Sequence, residues 1–139
     1  MISRSKITVR YSETDQMGVV YHANYAAWFE IARSDLIKKI GITYIEMESM
    51  GLMVPIAELH IKYIEPAHYD NELIVETRIT KLTRVKVEFE YAIYKRGRNT
   101  PINIGRSVHA FTDKNLKLID MEKVYPEIYE LLKSAVENN

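Results

Sequence analysis

The chain contains no cysteine, which removes disulfide scaffolds, thiolate zinc sites and cysteine nucleophiles together and fits a reducing compartment. It holds 5 glycines and 4 prolines in 139 residues while 47% of its residues are hydrophobic, so disordered, collagen-like and low-complexity classes are excluded. No charge of one sign prevails. Nineteen Lys and Arg balance 19 Asp and Glu, so no whole-protein field draws the chain to nucleic acid or to an anionic membrane, and any basic site must be local. Long apolar runs are missing too. The N-terminal MISRSKITVRYSETD lacks a signal-like apolar run and is read as mature cytoplasmic sequence. The longest stretch without Asp, Glu, Lys or Arg, Gln16 to Phe29, is too short and too polar to span a bilayer. With no repeat, linker-like shift or charged tail, residues 1–139 are expected to form a single domain.

What is present is periodicity of two kinds. Ile7, Val9 and Tyr11 alternate with polar residues up to Ser12, the pattern of a first strand. Tyr25, Trp28, Phe29, Ala32, Leu36 and Ile40 then recur at helical steps. Asn24 is placed to cap that helix, Lys38 and Lys39 suit its last turn, and Gly41 suits the position just past its end. Because Ala26, Ala27, Ile31 and Ile37 lie off the stripe, the helix is apolar on most sides, and it is expected to be enclosed. Thr43 and Glu46 have capping-box spacing for a short second helix over Tyr44 to Met50. Strand patterns follow over Val54 to Ile64, Leu73 to Leu82, Val85 to Lys95 and Ile102 to Thr112, joined by short turns that favour antiparallel pairing of successive strands. Pro126 opens a terminal helix with Ile128, Leu131, Leu132 and Ala135 on one side. The fold class is α+β: a long apolar helix covered by a large, curved antiparallel sheet.

The segment YSETDQMGVVYHANY, Tyr11 to Tyr25, joins the first strand to the long helix and places Glu13, Asp15 and His22 within ten residues. A carboxylate beside a helix N-terminus can face a carbonyl whose developing negative charge meets unpaired N–H groups. The bland alternative for Asp15 is an Asx turn or a cap, and for His22 a satisfied histidine at the helix start.

The run ETDQMGVVYHANY resembles the signature of hotdog-fold acyl-CoA thioesterases related to 4-hydroxybenzoyl-CoA thioesterase, particularly the Tol-Pal-associated acyl-CoA thioesterase subgroup. Asp15, Gly18, Tyr21, His22, Asn24 and Tyr25 fall at the pattern's spacing, and IKYIEPAHYDNELIVETRITKL resembles the next two strands, with Asn71 where many relatives carry a second Asp. The resemblance implies a hotdog fold, a long central helix wrapped by a five-stranded antiparallel sheet. It implies that Asp15 is the catalytic carboxylate, as nucleophile or as general base, and that the backbone N–H of His22 polarises the thioester carbonyl. Tyr21, Asn24 and Gly18 would position the loop. No metal and no cofactor is implied.

Such a substrate brings phosphates, of coenzyme A or of an acyl carrier protein's phosphopantetheine. Lys62, Arg84 and Lys86 are the candidates to meet them. The open sheet leaves an edge to pair, so a homodimer or homotetramer is expected, with the site at a subunit boundary. The rival from another class is a non-catalytic acyl-CoA or acyl-carrier-protein binding module. A hotdog dehydratase would normally show a His-based site instead. Other chemistry finds little support: Ser107 lies in GRSVH, without the second glycine of a nucleophile elbow. His22, His60, His68 and His109 lack metal-ligand spacing, and Glu13 and Asp15 are too close in sequence to flank a sugar.

Overall fold

A computed structural model describes residues 1–137. Strand β1 (Ser3–Thr8) leads through a 3-10 turn (Tyr11–Glu13) to helix α1 (Asn24–Ile40) and the short helix α2 (Tyr44–Ser49). Strands β2 (Ile56–Tyr63), β3 (Glu72–Leu82), β4 (Lys86–Lys95) and β5 (Asn103–Ala110) follow, and α3 (Met121–Val124) and α4 (Pro126–Glu137) end the described chain. The strands form one antiparallel sheet in the order β1-β3-β4-β5-β2. No helix among the described residues is long and apolar enough to cross a membrane.

Helix α1 packs against β1 and β3 with Tyr25, Trp28, Phe29, Ala32, Leu36 and Ile37 buried. The expected stripe thus ends on Ile37, and Ile40 is only half-buried. The helix stops at Gly41, whose φ of 119° is open to glycine and whose N–H bonds back to the carbonyls of Ile37 and Lys38. Thr43 Oγ1 accepts the N–H of Glu46 at 3.1 Å and starts α2 as its spacing predicts.

Several expectations need correction. The first strand stops at Thr8, and Tyr11 belongs to the 3-10 turn with 76% of its surface exposed. The inward residues of β1 include Ser3 and Ser5, whose hydroxyls bond Lys39 and Asp35 of α1, so a polar residue stands where alternation demands an apolar one. Strand β2 does not pair with β3. It lies at the far edge beside β5, because β1 occupies the free side of β3 from Ser3 opposite Thr77 to Thr8 opposite Glu72. Residues 64–71 are therefore a crossing, tied down where Val20 donates to Ala67 O and Asp70 to Val9 O. Helix α1 is not enclosed by this one chain: Ala27 is exposed and Ile31 keeps 46% of its surface accessible. In α4, Leu131 is likewise 37% exposed while Ile128, Leu132 and Ala135 are buried.

Two devices lock α1 onto the sheet. The Phe29 ring stacks on Tyr91 at 4.2 Å and lies over Gly105, where any Cβ would come within 2.3 Å of it. Beside it runs a buried polar chain. Val54 O can only accept, so at 3.3 Å it takes the N–H of His109 Nδ1. Nε2 is then the acceptor for Ser107 O–H at 2.8 Å. Ser107 Oγ accepts from Tyr91 O–H at 2.6 Å, and Tyr91 accepts from Arg33 Nη1 at 3.0 Å. Each hydrogen is committed in one direction, and a second proton on His109 would have to reverse the chain into Arg33.

Burial first, and the Arg33 charge second, hold the His109 pKa down to about 4 from 6.5. The unfolded chain therefore binds this proton first. The stability it confers is complete above pH 6.5 and is lost as pH falls toward 4, amounting to roughly 3 kcal/mol at most. Denaturant titrations between pH 7 and pH 4 should show unfolding free energy falling with pH, and His109→Gln should flatten that slope; an unchanged slope would exclude His109 as its source.

Candidate active site

The loop from Glu13 to Tyr21 is a narrow hairpin. Thr14 and Val20 form an antiparallel bridge, and Asp15 N–H donates to Val19 O at 2.9 Å. The turn closes when Gly18, at φ 79°, donates to Asp15 O at 3.0 Å. Asp15 Oδ1 also accepts the Met17 N–H at 2.8 Å, so the Asx turn is real. It occupies one carboxylate oxygen, while Oδ2 takes no hydrogen bond from the described residues.

Glu13 fastens this hairpin to the helix. Only 8% of its surface is exposed, and its carboxylate points inward: Arg10 N–H donates to Oε1 at 2.8 Å and Trp28 Nε1–H donates to Oε2 at 2.9 Å. Burial alone would raise its pKa, but the hydrogen bonds from Arg10 and Trp28 outweigh that and hold the group below its ordinary value. Its carbonyl accepts twice more, from Tyr21 N–H at 2.9 Å and Asn24 Nδ2 at 2.8 Å. Asn24 is therefore not the N-cap. That place falls to Ala23, which makes no side-chain bond, and the Asn24 amide is spent on the loop. The sequence pattern could not separate these roles, since an asparagine at a helix start suits either.

Asp15 and His22 line one cleft of about 240 Å³, with Met17, Val20, Tyr25 and Tyr63 among its walls. Asp15 also borders a wider hollow, about 690 Å³, that includes Tyr21 and Asn24. Tyr21 is half-exposed, with its ring 4.5 Å from the His22 ring. Between these residues the backbone turns into α1: Asn24 N–H donates to Tyr21 O, whereas the N–H groups of His22 and Ala23 find no acceptor among the described residues. Gly18, Tyr21, His22 and Asn24 thus gather around Asp15.

The cationic candidates do not gather there. Arg84, at the β3–β4 turn, is paired at 3.1 Å with both Asp120 and Glu122. Lys86 begins β4 just beyond that turn. Lys62 borders a groove of about 540 Å³ across the outer face of the sheet. This groove is roomier than the Asp15 cleft, but its carboxylates Glu76 and Glu90 are paired with Arg4 and Arg78. Sequence reasoning missed the part of Glu13 as the loop's anchor and, at the cleft, Tyr63, whose O–H donates to His22 O at 3.0 Å. An aromatic ending a strand pattern was the available signal for Tyr63.

Residues 17–102 match the Thioesterase superfamily, a span beginning just past Asp15. Bacillus subtilis YneP is 38% identical over 135 residues, covering 96% of this chain and 97% of that protein. The acyl-CoA thioester hydrolase YbgC of Shigella flexneri is 29% identical over 100 residues, covering 72% and 74%. The crystal structure of a DHNA-CoA thioesterase from Staphylococcus aureus superposes with a TM-score of 0.92 at 32% identity, over 99% of this chain and 93% of that one. Similarity in sequence and in fold agree along nearly the whole chain: it belongs to the thioesterase superfamily and has the hotdog fold.

Proposed function

We propose that the protein hydrolyses acyl-CoA thioesters at Asp15. The observation that carries this reading is the meeting, in one cleft, of Asp15, one of whose carboxylate oxygens takes no hydrogen bond from the described residues, with His22 before α1, whose backbone N–H, like that of Ala23 next to it, finds no acceptor among them. The donors suit the oxygen of a thioester carbonyl, which gains negative charge as the carbon is attacked. As general base, Asp15 takes a proton from water while the water oxygen bonds to the carbonyl carbon. Collapse then breaks the C–S bond, and the thiolate leaves and takes up a proton. As nucleophile, the Asp15 carboxylate oxygen bonds to the carbonyl carbon, the C–S bond breaks and the thiolate leaves with a proton taken up from solvent, and water then cleaves the mixed anhydride. Both routes need one carboxylate oxygen unencumbered, and the Asx turn holds the other. The kinship with an acyl-CoA thioester hydrolase and a DHNA-CoA thioesterase supports the substrate class over a binding module. The alternative carrier, an acyl carrier protein, presents the same thioester.

The assembly we propose is a homodimer or larger. Strand β2 is an edge with Ile56, Leu59 and Tyr63 at least 41% exposed, and α1 leaves Ile31 uncovered. Light scattering should report at least twice 16.2 kDa, and Leu59→Asp should shift the population toward monomer. A single-chain mass for the parent, with activity retained, would contradict this assembly.

Asp15→Asn is nearly isosteric and keeps an oxygen for the Met17 N–H, but the amide is neither base nor nucleophile. It should lower kcat by about 10²–10⁴-fold with KM little changed. Hydrolysis at the parent rate would remove Asp15 from the chemistry, while CoA binding without hydrolysis in parent and variant would favour the binding module. His22→Ala keeps the backbone donor and should retain most turnover; a loss as deep as that of Asp15→Asn would make the imidazole essential.

A further inference from the structure

Tyr63 ends β2, at the opposite edge of the sheet from the strand that leads into the Asp15 loop. Across 41 residues of sequence its O–H donates to His22 O at 3.0 Å. Its ring is braced edge-on against Tyr25 at 5.4 Å, and Tyr25, 3% exposed, is braced in turn on Trp28 at 5.0 Å. The phenol is thus held from below by the same tryptophan that anchors Glu13.

A trans peptide is planar, with C=O and N–H pointing opposite ways, so whatever fixes one fixes the other. The Tyr21–His22 peptide is fixed by Asn24 N–H on Tyr21 O at 3.0 Å. Among the described residues, the His22–Ala23 peptide is fixed by Tyr63 alone, from outside the helix. Both carbonyls are therefore engaged while neither N–H finds an acceptor among the described residues, and successive N–H groups at a helix start run roughly parallel. Burial also pushes the Tyr63 pKa up, so the phenol keeps the proton it donates at neutral pH.

We propose that Tyr63 is a positioning residue for thioester hydrolysis: by holding His22 C=O it aims the Ala23 N–H, beside that of His22, at the thioester oxygen. The inference rests on the thioesterase reading and adds a second backbone donor to it. Because the contribution passes through the peptide and grows with charge on the oxygen, it belongs to the transition state more than to the bound substrate.

Tyr63→Phe keeps the ring against Tyr25 and deletes only the O–H. With the parent's acyl-CoA substrate, kcat should fall about 5- to 10-fold, the size of one hydrogen bond, while KM stays within about twofold. Incorporating 3,5-difluorotyrosine at position 63, a stronger donor while protonated, should restore kcat to the parent level or above at pH below its own pKa. A phenylalanine variant at the parent kcat overturns the proposal, as does a rise in KM with kcat intact, which would make Tyr63 a substrate contact. If the phenylalanine variant fails to fold, the fluorinated protein decides, and a kcat below the parent's overturns the proposal. A parent inert toward every thioester would instead bring down the thioesterase reading, and this inference with it.

Discussion

Trp28 lies in the buried stripe of α1, and its indole N–H donates to Glu13 Oε2 at 2.9 Å, joining the helix to the loop that carries Asp15. Taking a carboxylate out of water is costly unless its oxygens are satisfied, and Arg10 N–H satisfies the other one. Once that carboxylate is fixed, the Glu13 carbonyl is fixed with it, and its two donors, Tyr21 N–H and Asn24 Nδ2, set where the chain enters α1. The N–H groups of His22 and Ala23, which have no acceptor among the described residues, stand between those two contacts. In the proposed mechanism the placing of these donors is therefore inherited from a buried charge that itself stands outside the chemistry.

The same helix must hold its register on the sheet, or the aim is lost. Phe29 does this by shape, since Gly105 is the gap in β5 that admits its ring. The chain from Arg33 through Tyr91 and Ser107 to His109 does it by direction, because Arg33 is its one member on the helix and sliding α1 would take the guanidinium from the Tyr91 oxygen, whose own hydrogen is committed to Ser107. A buried polar chain of this kind specifies a position more than it adds stability. Tyr63 then ties the far edge of the sheet to the same peptide turn, so helix, loop and both sheet edges converge on the two residues before Asn24.

Much of this was legible from periodicity. Helix α1 ends on Gly41 as its pattern demands, and the strand ranges from β3 onward lie close to the alternating runs. Where alternation misled, a polar side chain had a partner far along the chain: Ser5 faces inward because Asp35 of α1 waits for its hydroxyl, and Asn24 is drawn from the cap by Glu13. The placement of β2 beside β5 could not be read, since the crossing 64–71 has the length of a turn and owes its path to contacts with Val9 and Val20. Asp15 shows the limit most clearly. The bland and the functional readings are both compatible with it, because an Asx turn uses one oxygen and hydrolysis needs the other. The Gly18 spacing signals the turn, and only the shared cleft with His22 brings the second oxygen into a chemical setting.

The balance of charge has a consequence for how a phosphorylated substrate is met. Arg4, Arg10, Arg78, Arg84, Arg96, Arg98 and Arg106 each pair with a carboxylate, and Arg33 is engaged by Tyr91. A bidentate guanidinium such as Arg98 on Glu65 would have to exchange one anion for another, and Arg84 would have to leave two. Lys62 and Lys86 have no such partner among the described residues. Solvent-exposed pairs are worth little, so exchange is possible. Even so, an ammonium without a competitor gives up nothing on binding. Were these candidates to meet a phosphate, lysine would therefore be engaged first, and Arg84 only where the substrate's charge displaces Asp120 or Glu122.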